Sequence, residues 1–244
     1  MLSIIKSIAL HGLQGYLVST QVDVSAGMPN FEIVGLPDIT VKESKERIKT
    51  AIKNSNLEFL SRKIVVNLAP ANIKKEGSMF DLPIAIGILI STENIINQNL
   101  SEYLKDTVII GELSLNGHVE KVKGILPICI EAKKLGIKRI ILPKANAKEA
   151  CIIKDIDILP VDSLNELVDF FNGNSLIEKA KNYDFNSQFI NNYEFDFSEV
   201  KGQENVKRAL EIAAAGGHNC LLIRKSRIRK NYACKKVTKY FAGY

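Results

Sequence analysis

No apolar run in the 244 residues is long enough to cross a membrane. The longest, Leu82 to Ser91, is half of the roughly 20 residues a spanning helix needs. The N-terminus, Met1-Leu-Ser-Ile-Ile-Lys, lacks the ordered basic, apolar and cleavage segments of a signal peptide, so the cytoplasm is the expected compartment. Cysteine is scarce. The four (Cys129, Cys151, Cys220, Cys234) have no close pairing and three sit in apolar segments, which favours buried thiols over a metal site. Acid is missing from residues 224–244, which hold 8 of the 33 Lys and Arg. The remaining 223 residues then carry 25 basic against 27 acidic side chains, a net of −2, which excludes a uniformly basic nucleic-acid-binding body. No internal repeat is evident.

At this length and 46% hydrophobic residues, the chain can bury one large domain or one and a half. Residues 1–35 read as strands: Ser3 to Leu10, Gly15 to Ser25 after a turn at Gly12, and Phe31 to Gly35. Val18, Thr20, Val22 and Val24 alternate with Ser19, Gln21, Asp23 and Ser25, a period-two pattern with one buried face and an antiparallel start. Asp38 is placed to cap a helix whose apolar positions are Val41, Ile48, Ala51 and Ile52, with a solvated charged face and a Glu43–Arg47 pair. A strand, Ile64 to Ala69, ends at Pro70. Asp81 to Ser91 reads as a helix capped by Asp81, apolar all round and therefore central. Asn116-Gly117 marks a hairpin turn. A helix from Ile125 to Leu135, a stop at Gly136 and a strand from Arg139 to Pro143 form an α/β unit. The strand Ile156 to Pro160 and the helix Ser163 to Phe171 close the domain. From Asn172 the composition turns to Asn, Lys, Ser and Tyr, as in a linker. His11 and His118 adjoin turn glycines and read as surface or hairpin residues.

Three segments, Lys75-Glu-Gly-Ser-Met-Phe-Asp, Gly111-Glu-Leu-Ser-Leu-Asn-Gly-His-Val and Gly136-Ile-Lys-Arg-Ile-Ile-Leu-Pro-Lys, resemble the proteolytic domain of Lon in order and spacing, over roughly residues 60–145. That family works through a Ser–Lys dyad, in which a desolvated lysine takes the proton of the attacking serine. The resemblance puts the serine position at Met79 and the lysine position at Leu126. Ser78 is one residue off and Lys123 three. No catalytic residue is expected here.

A longer resemblance covers residues 1–223. Phe31-Glu-Ile-Val-Gly-Leu-Pro-Asp, Val65-Val-Asn-Leu-Ala-Pro-Ala-Asn, Lys75-Glu-Gly-Ser-Met-Phe-Asp-Leu-Pro-Ile-Ala and Lys201-Gly-Gln-Glu-Asn-Val-Lys-Arg-Ala-Leu-Glu-Ile-Ala-Ala-Ala-Gly-Gly-His-Asn resemble, in order, the N-terminal part of the Mg-chelatase-like AAA ATPases of the YifB/ComM type. The resemblance implies an α+β (α/β two-layer) domain of Lon-protease and ribosomal-protein-S-five type over 1–173. A linker at 174–197 and the start of an AAA+ domain at 198–223 follow. It also implies ATP and Mg as cofactors, no resident metal site, a hexameric homo-oligomer and DNA as partner of the intact family. Val200, Gly202, Gln203, Gly217 and His218 correspond to a partial ATP-site entrance.

The phosphate loop of such a motor, Gly-x-x-x-x-Gly-Lys-Ser/Thr, is due at position 224. The chain instead reads Arg224-Lys-Ser-Arg-Ile-Arg-Lys230. If Arg224 to Asn231 are encoded AGG AAA AGC AGG ATC AGG AAA AAC, moving one nucleotide forward gives Gly-Lys-Ala-Gly-Ser-Gly-Lys-Thr. Residues 224–244 are thus expected to be out-of-frame translation of a truncated member, unable to bind or hydrolyse ATP productively. Two other readings compete: a free-standing, catalytically dead Lon-like scaffold module, and a basic arm that grips phosphate backbones in a salt-sensitive way.

Overall fold

The computed structural model describes residues 2–180 and 202–221. The chain divides into two compact units, 1–185 and 186–244.

In the first unit a long hairpin, β1 (Leu2–His11) and β2 (Gln14–Ser25), sits at the middle of a seven-stranded sheet. On one side of the hairpin lie β4 (Lys63–Ala69) and β3 (Asn30–Val34). On the other lie β5 (Thr107–Ile109), β8 (Arg139–Pro143) and β9 (Asp157–Val161). The order is β3-β4-β2-β1-β5-β8-β9, with β1–β2 and β2–β4 antiparallel and the other four neighbours parallel. The expected alternation of β2 holds: Val18, Thr20, Val22 and Val24 are buried. The antiparallel start holds for β1 and β2 and fails for β3. Helix α1 (Ile39–Asn54) carries the chain across after β3, so β4 returns parallel to it.

Helix α2 (Asp81–Ser91) is buried along nearly its whole length, as its all-round apolar sequence requires. It lies so close to the hairpin that a Cβ at Gly87 would come within 2.6 Å of Val22 Cγ2. Short α3 (Leu100–Lys105) leads into β5, and a two-stranded ribbon, β6 (Glu112–Leu113) and β7 (Val119–Glu120), follows. Of Asn116-Gly117 only Gly117 takes a positive φ, +84°, and a Cβ there would meet Ser55 Oγ at 2.2 Å. Helices α4 (Ile125–Lys134), α5 (Ala147–Ala150) and α6 (Leu164–Phe171) complete the unit, with Gly136 at φ +70° behind α4. Ser163, rather than starting α6, caps it by accepting from Glu166 N.

Two apolar clusters fill the unit. Ile141 and Ile109 join α1, α2 and α6 in one, while their neighbours Ile140, Leu142, Val108 and Ile110 join α4 and α5 in the other. Adjacent residues of a strand face opposite ways, so the clusters lie on the two sides of the sheet. This is a mixed α/β arrangement, in keeping with the α+β expectation. The packed chain runs on past Gly173. Ile177 is buried in the first cluster, Ala180 N donates to Ile158 O (2.9 Å), and Lys179 pairs with Asp157.

In the second unit, α7 (Glu204–Gly216) is the described element. Val200, Lys201 and residues 222–244 lie outside the described residues.

Candidate functional site

Three of the four segments quoted above meet at one place in the first unit. Gly35, at φ +99°, runs so close to β4 that a Cβ would stand 2.3 Å from the Leu68 carbonyl oxygen. That closeness lets the following turn reach the 70–81 loop. Asp38 N donates to Lys75 O (3.0 Å) and Lys75 N to Leu36 O (3.1 Å), stitching the two loops side by side. Asp38 also caps α1 as expected, its carboxylate accepting from Val41 N at 2.8 Å and, more distantly, from Gly77 N.

At the centre of this junction is Lys75, whose side chain is fully buried. Its Nζ donates to the carbonyls of Pro70 and Ile73, the latter at 2.7 Å, and burial lowers its pKa. A buried ammonium is costly unless backbone dipoles surround it; here those dipoles are the turns of its own loop, so the lysine fixes the loop's shape. Nothing in the polar run Lys74-Lys75-Glu76 distinguishes the buried lysine from its exposed neighbours.

The loop delivers Ser78 and Met79 to the start of α2. Ser78 Oγ donates to the Glu112 carboxylate. Met79 is half-buried and packs against both apolar clusters, and its carbonyl accepts from Gly111 N (3.0 Å). Leu126, in the first turn of α4, is half-buried, and its N–H donates to Glu149. Lys123 is exposed. A thioether and an isobutyl group hold no proton to exchange, and the one serine nearby is engaged by a carboxylate rather than an amine.

Asp81 does not cap α2, whose N-cap is Phe80. It is fully buried as the first helical residue and pairs with Arg47 of α1 (2.9 Å), which also donates to Ser44 Oγ; Leu113 N adds a longer bond. Arg47 therefore leaves the solvated face for an acid 34 positions away, in place of the Glu43 partner its spacing suggested. Burial pushes the Asp81 carboxyl up, and Arg47 and Ser44 pull it back in part.

The thiols of Cys129 and Cys151 are buried, and burial drives Cys129 up to about 12. Cys220 is exposed, against the expectation of burial, because it follows the end of α7. Cys234 lies outside the described residues. His11 and His118 are exposed, and His118 Nδ1 lies 3.3 Å from the Asp162 carbonyl.

In the second unit the four expected entrance residues that are described, Gly202, Gln203, Gly217 and His218, stand at the two ends of α7, and Val200 lies outside the described residues. Gly202 and Gln203, both at positive φ, precede it, and Gly217, at φ +62°, ends it. Thirteen residues of helix separate the pairs by about 20 Å. His218 N donates to Ala213 O (2.8 Å), closing the last turn, and its ring lies against Gly216, where a Cβ would come within 2.5 Å. Gly202–Leu221 offers no glycine-rich loop to wrap a triphosphate. No group of three or more His, Cys, Asp or Glu side chains suited to a metal lies among the described residues. These residues by themselves do not fit ATP with Mg.

Strand–loop–helix segments joined at Lys75, with a Lon-like order of motifs, define a Lon-domain-like unit. Family models for "Subunit ChlI of Mg-chelatase" and "Magnesium chelatase, subunit ChlI" match residues 20–146 and 196–241, and the second match runs through the basic tail. The chain belongs to this Mg-chelatase ChlI family, in its YifB/ComM branch. It is 40% identical over 222 residues to the Escherichia coli protein YifB, covering 91% of this chain and 42% of that protein. To the Haemophilus influenzae competence protein ComM it is 37% identical over 239 residues, covering 97% and 46%. An archaeal Lon protease from Pyrococcus abyssi is 26% identical over 170 residues, 68% of this chain and 16% of the protease. The chain thus spans less than half the length of YifB and of ComM.

Proposed function

We propose that the first unit is a non-proteolytic Lon-like domain that precedes an ATP-driven AAA+ motor in this family, and that the intact protein assembles as a hexamer in the cytoplasm and acts on DNA. The kinship with a competence protein supports the DNA assignment. The observation that carries the loss of proteolysis is the pair Met79 and Leu126 standing where a serine and a lysine are needed. Residues 224–244 contain no Gly-x-x-x-x-Gly-Lys run, which supports a chain that does not grip nucleotide phosphates; a one-nucleotide shift of suitable codons would restore such a run, while the family match to residue 241 is made in the present frame. Val200, Gly202, Gln203, Gly217 and His218 then flank a nucleotide site that this chain leaves incomplete.

The test is direct. The purified 244-residue chain should cleave no unstructured fluorogenic peptide and retain no ATP in equilibrium dialysis. Sequencing the gene should show Walker B and sensor motifs downstream in the shifted frame. Peptide cleavage would overturn the first claim, and ATP binding with micromolar affinity the second.

A further inference from the structure

A groove of about 740 Å³ opens beside β1, between that strand, the end of α2 with its following loop, and α3. Its volume falls in the range of about 300–1,000 Å³ typical of ligand clefts. Leu2, Ser3 and Ile4 all line it. Consecutive strand residues point to opposite faces, so three in a row border one cavity only where the cavity runs along the strand's edge.

That edge is open for a topological reason. Strand β5 meets β1 at Lys6, begins at Thr107 beside Ile5, and supplies nothing alongside Leu2–Ile4. In the β1–β2 hairpin, pairs that exchange hydrogen bonds alternate with pairs that do not. Counting back from His11–Gln14, which flank the two-residue loop, Ser3–Val22 and Ile5–Thr20 exchange bonds and Ile4–Gln21 does not. The N–H and C=O of Ile4 therefore turn toward the groove, with no strand beside them. Ile4 and Leu2 are 52% and 58% exposed, an apolar edge of the kind proteins usually cover or charge.

Backbone donors and acceptors at strand spacing, beside a wall of Ile90, Ile95, Leu100 and Leu104, select an extended polypeptide over a compact small molecule. The charges are polarised along the groove. Lys6 and Lys105 stand where β5 begins, the Lys6 ammonium 2.5 Å from the Lys105 carbonyl. Glu93 stands past the end of α2, whose Ser91 lies over Val22, the partner of Ser3. A strand added here meets β5 at Lys6 and has to end there. The Lys105 ammonium is held by Glu102 at 2.5 Å, whereas that of Lys6 donates to a carbonyl; a carboxylate at that end satisfies the Lys6 charge, which sets the added strand parallel to β1, as β5 is. We propose that this groove binds the C-terminal tail of a partner protein: about four residues, apolar at alternate positions, added as a parallel strand with the free α-carboxylate against the Lys6 ammonium.

The probe is a set of N-terminally labelled tetrapeptides built from Val, Ile, Leu, Phe and Thr with a free C-terminal carboxylate, titrated with the full chain by fluorescence polarisation. Saturable binding is expected for members of the set, weakened tenfold or more by C-terminal amidation. Lys6→Ala should erase the difference between acid and amide. Ile4→Lys, a change at an exposed side chain that leaves the melting temperature in place, should weaken all binding by blocking the edge. Equal binding of acid and amide, no saturation by any member at millimolar concentration, or indifference to Ile4→Lys overturns the proposal. None of these outcomes bears on ATP or proteolysis.

Discussion

Two hydroxyls in the core show how much a single atom matters. Ser7 Oγ and Thr20 Oγ1 are buried with no hydrogen-bond partner, both on the sheet face under α2, where nearby Ser3 Oγ donates to Gly87 O at 2.8 Å. An unpaired buried hydroxyl costs about 1–3 kcal/mol. Ser7→Ala and Thr20→Val should therefore leave stability unchanged or raise it by about 1 kcal/mol in urea titration, whereas most core changes lower it. A clear loss in either variant would reveal a bound water as the missing partner. These positions were half legible in the sequence. The alternation of β2 placed Thr20 inside with Val18 and Val22, but nothing said that no partner waited there. Lys75 was less legible still, because a lysine between Lys74 and Glu76 has no local mark of burial. Its two carbonyl partners arise only when the 70–73 turn folds around it.

Between elements, the junction of α1 and α2 rests on the Arg47–Asp81 pair. Removing the arginine alone, as in Arg47→Met, leaves a buried carboxylate without its counter-charge. That should cost about 3 kcal/mol at neutral pH, the low end of the usual range because Arg47 stays partly open to water. The pH dependence has a definite sign. The Asp81 pKa is raised in the folded state, so the folded protein holds this proton more tightly than the unfolded chain does. Its contribution is complete below the ordinary aspartate range and fades as pH rises through the raised value. Urea titrations from pH 7 down to pH 4 should thus move the wild type's stability upward relative to Asp81→Asn, and the cost of Arg47→Met should shrink. The opposite trend would mean that Arg47 outweighs burial. Sequence pattern found both helices and their buried positions. It misassigned Asp81 as a cap and Arg47 to Glu43, because local spacing sees partners within one turn and this one lies 34 residues away.

For the whole molecule, the motif order led to the family and the fold, while strand order stayed hidden. Phe31 to Gly35 reads as a strand whichever neighbour it pairs with; only the crossover through α1 decides that β3 joins β4 in parallel. The groove beside β1 was hidden for a similar reason, since it exists where β5 is short. A faint signal was present: Ile4 and Ile5 break the alternation of β1, so both faces of that strand carry apolar side chains. Topology also orders folding. Strands β1, β2, β3 and β4 all lie within the first 69 residues, whereas β5, β8 and β9 pair across long intervals. Pulsed hydrogen exchange during refolding should protect amides of β2 and β4 before those of β8 and β9, since distant contacts close more slowly. Simultaneous protection of both halves would contradict this order.

The β1–β5 contact joins Lys6 to Val108, about a hundred residues further along. A ribosome adding about 5–20 residues per second needs roughly 5–20 s to supply β5 after β1. Throughout that interval the second edge of the hairpin is bare along its full length, apolar Leu2, Ile4 and Ile8 included. The newborn chain is then most exposed to mispairing at its oldest strand, and a chaperone that shields extended apolar edges would have its natural foothold there.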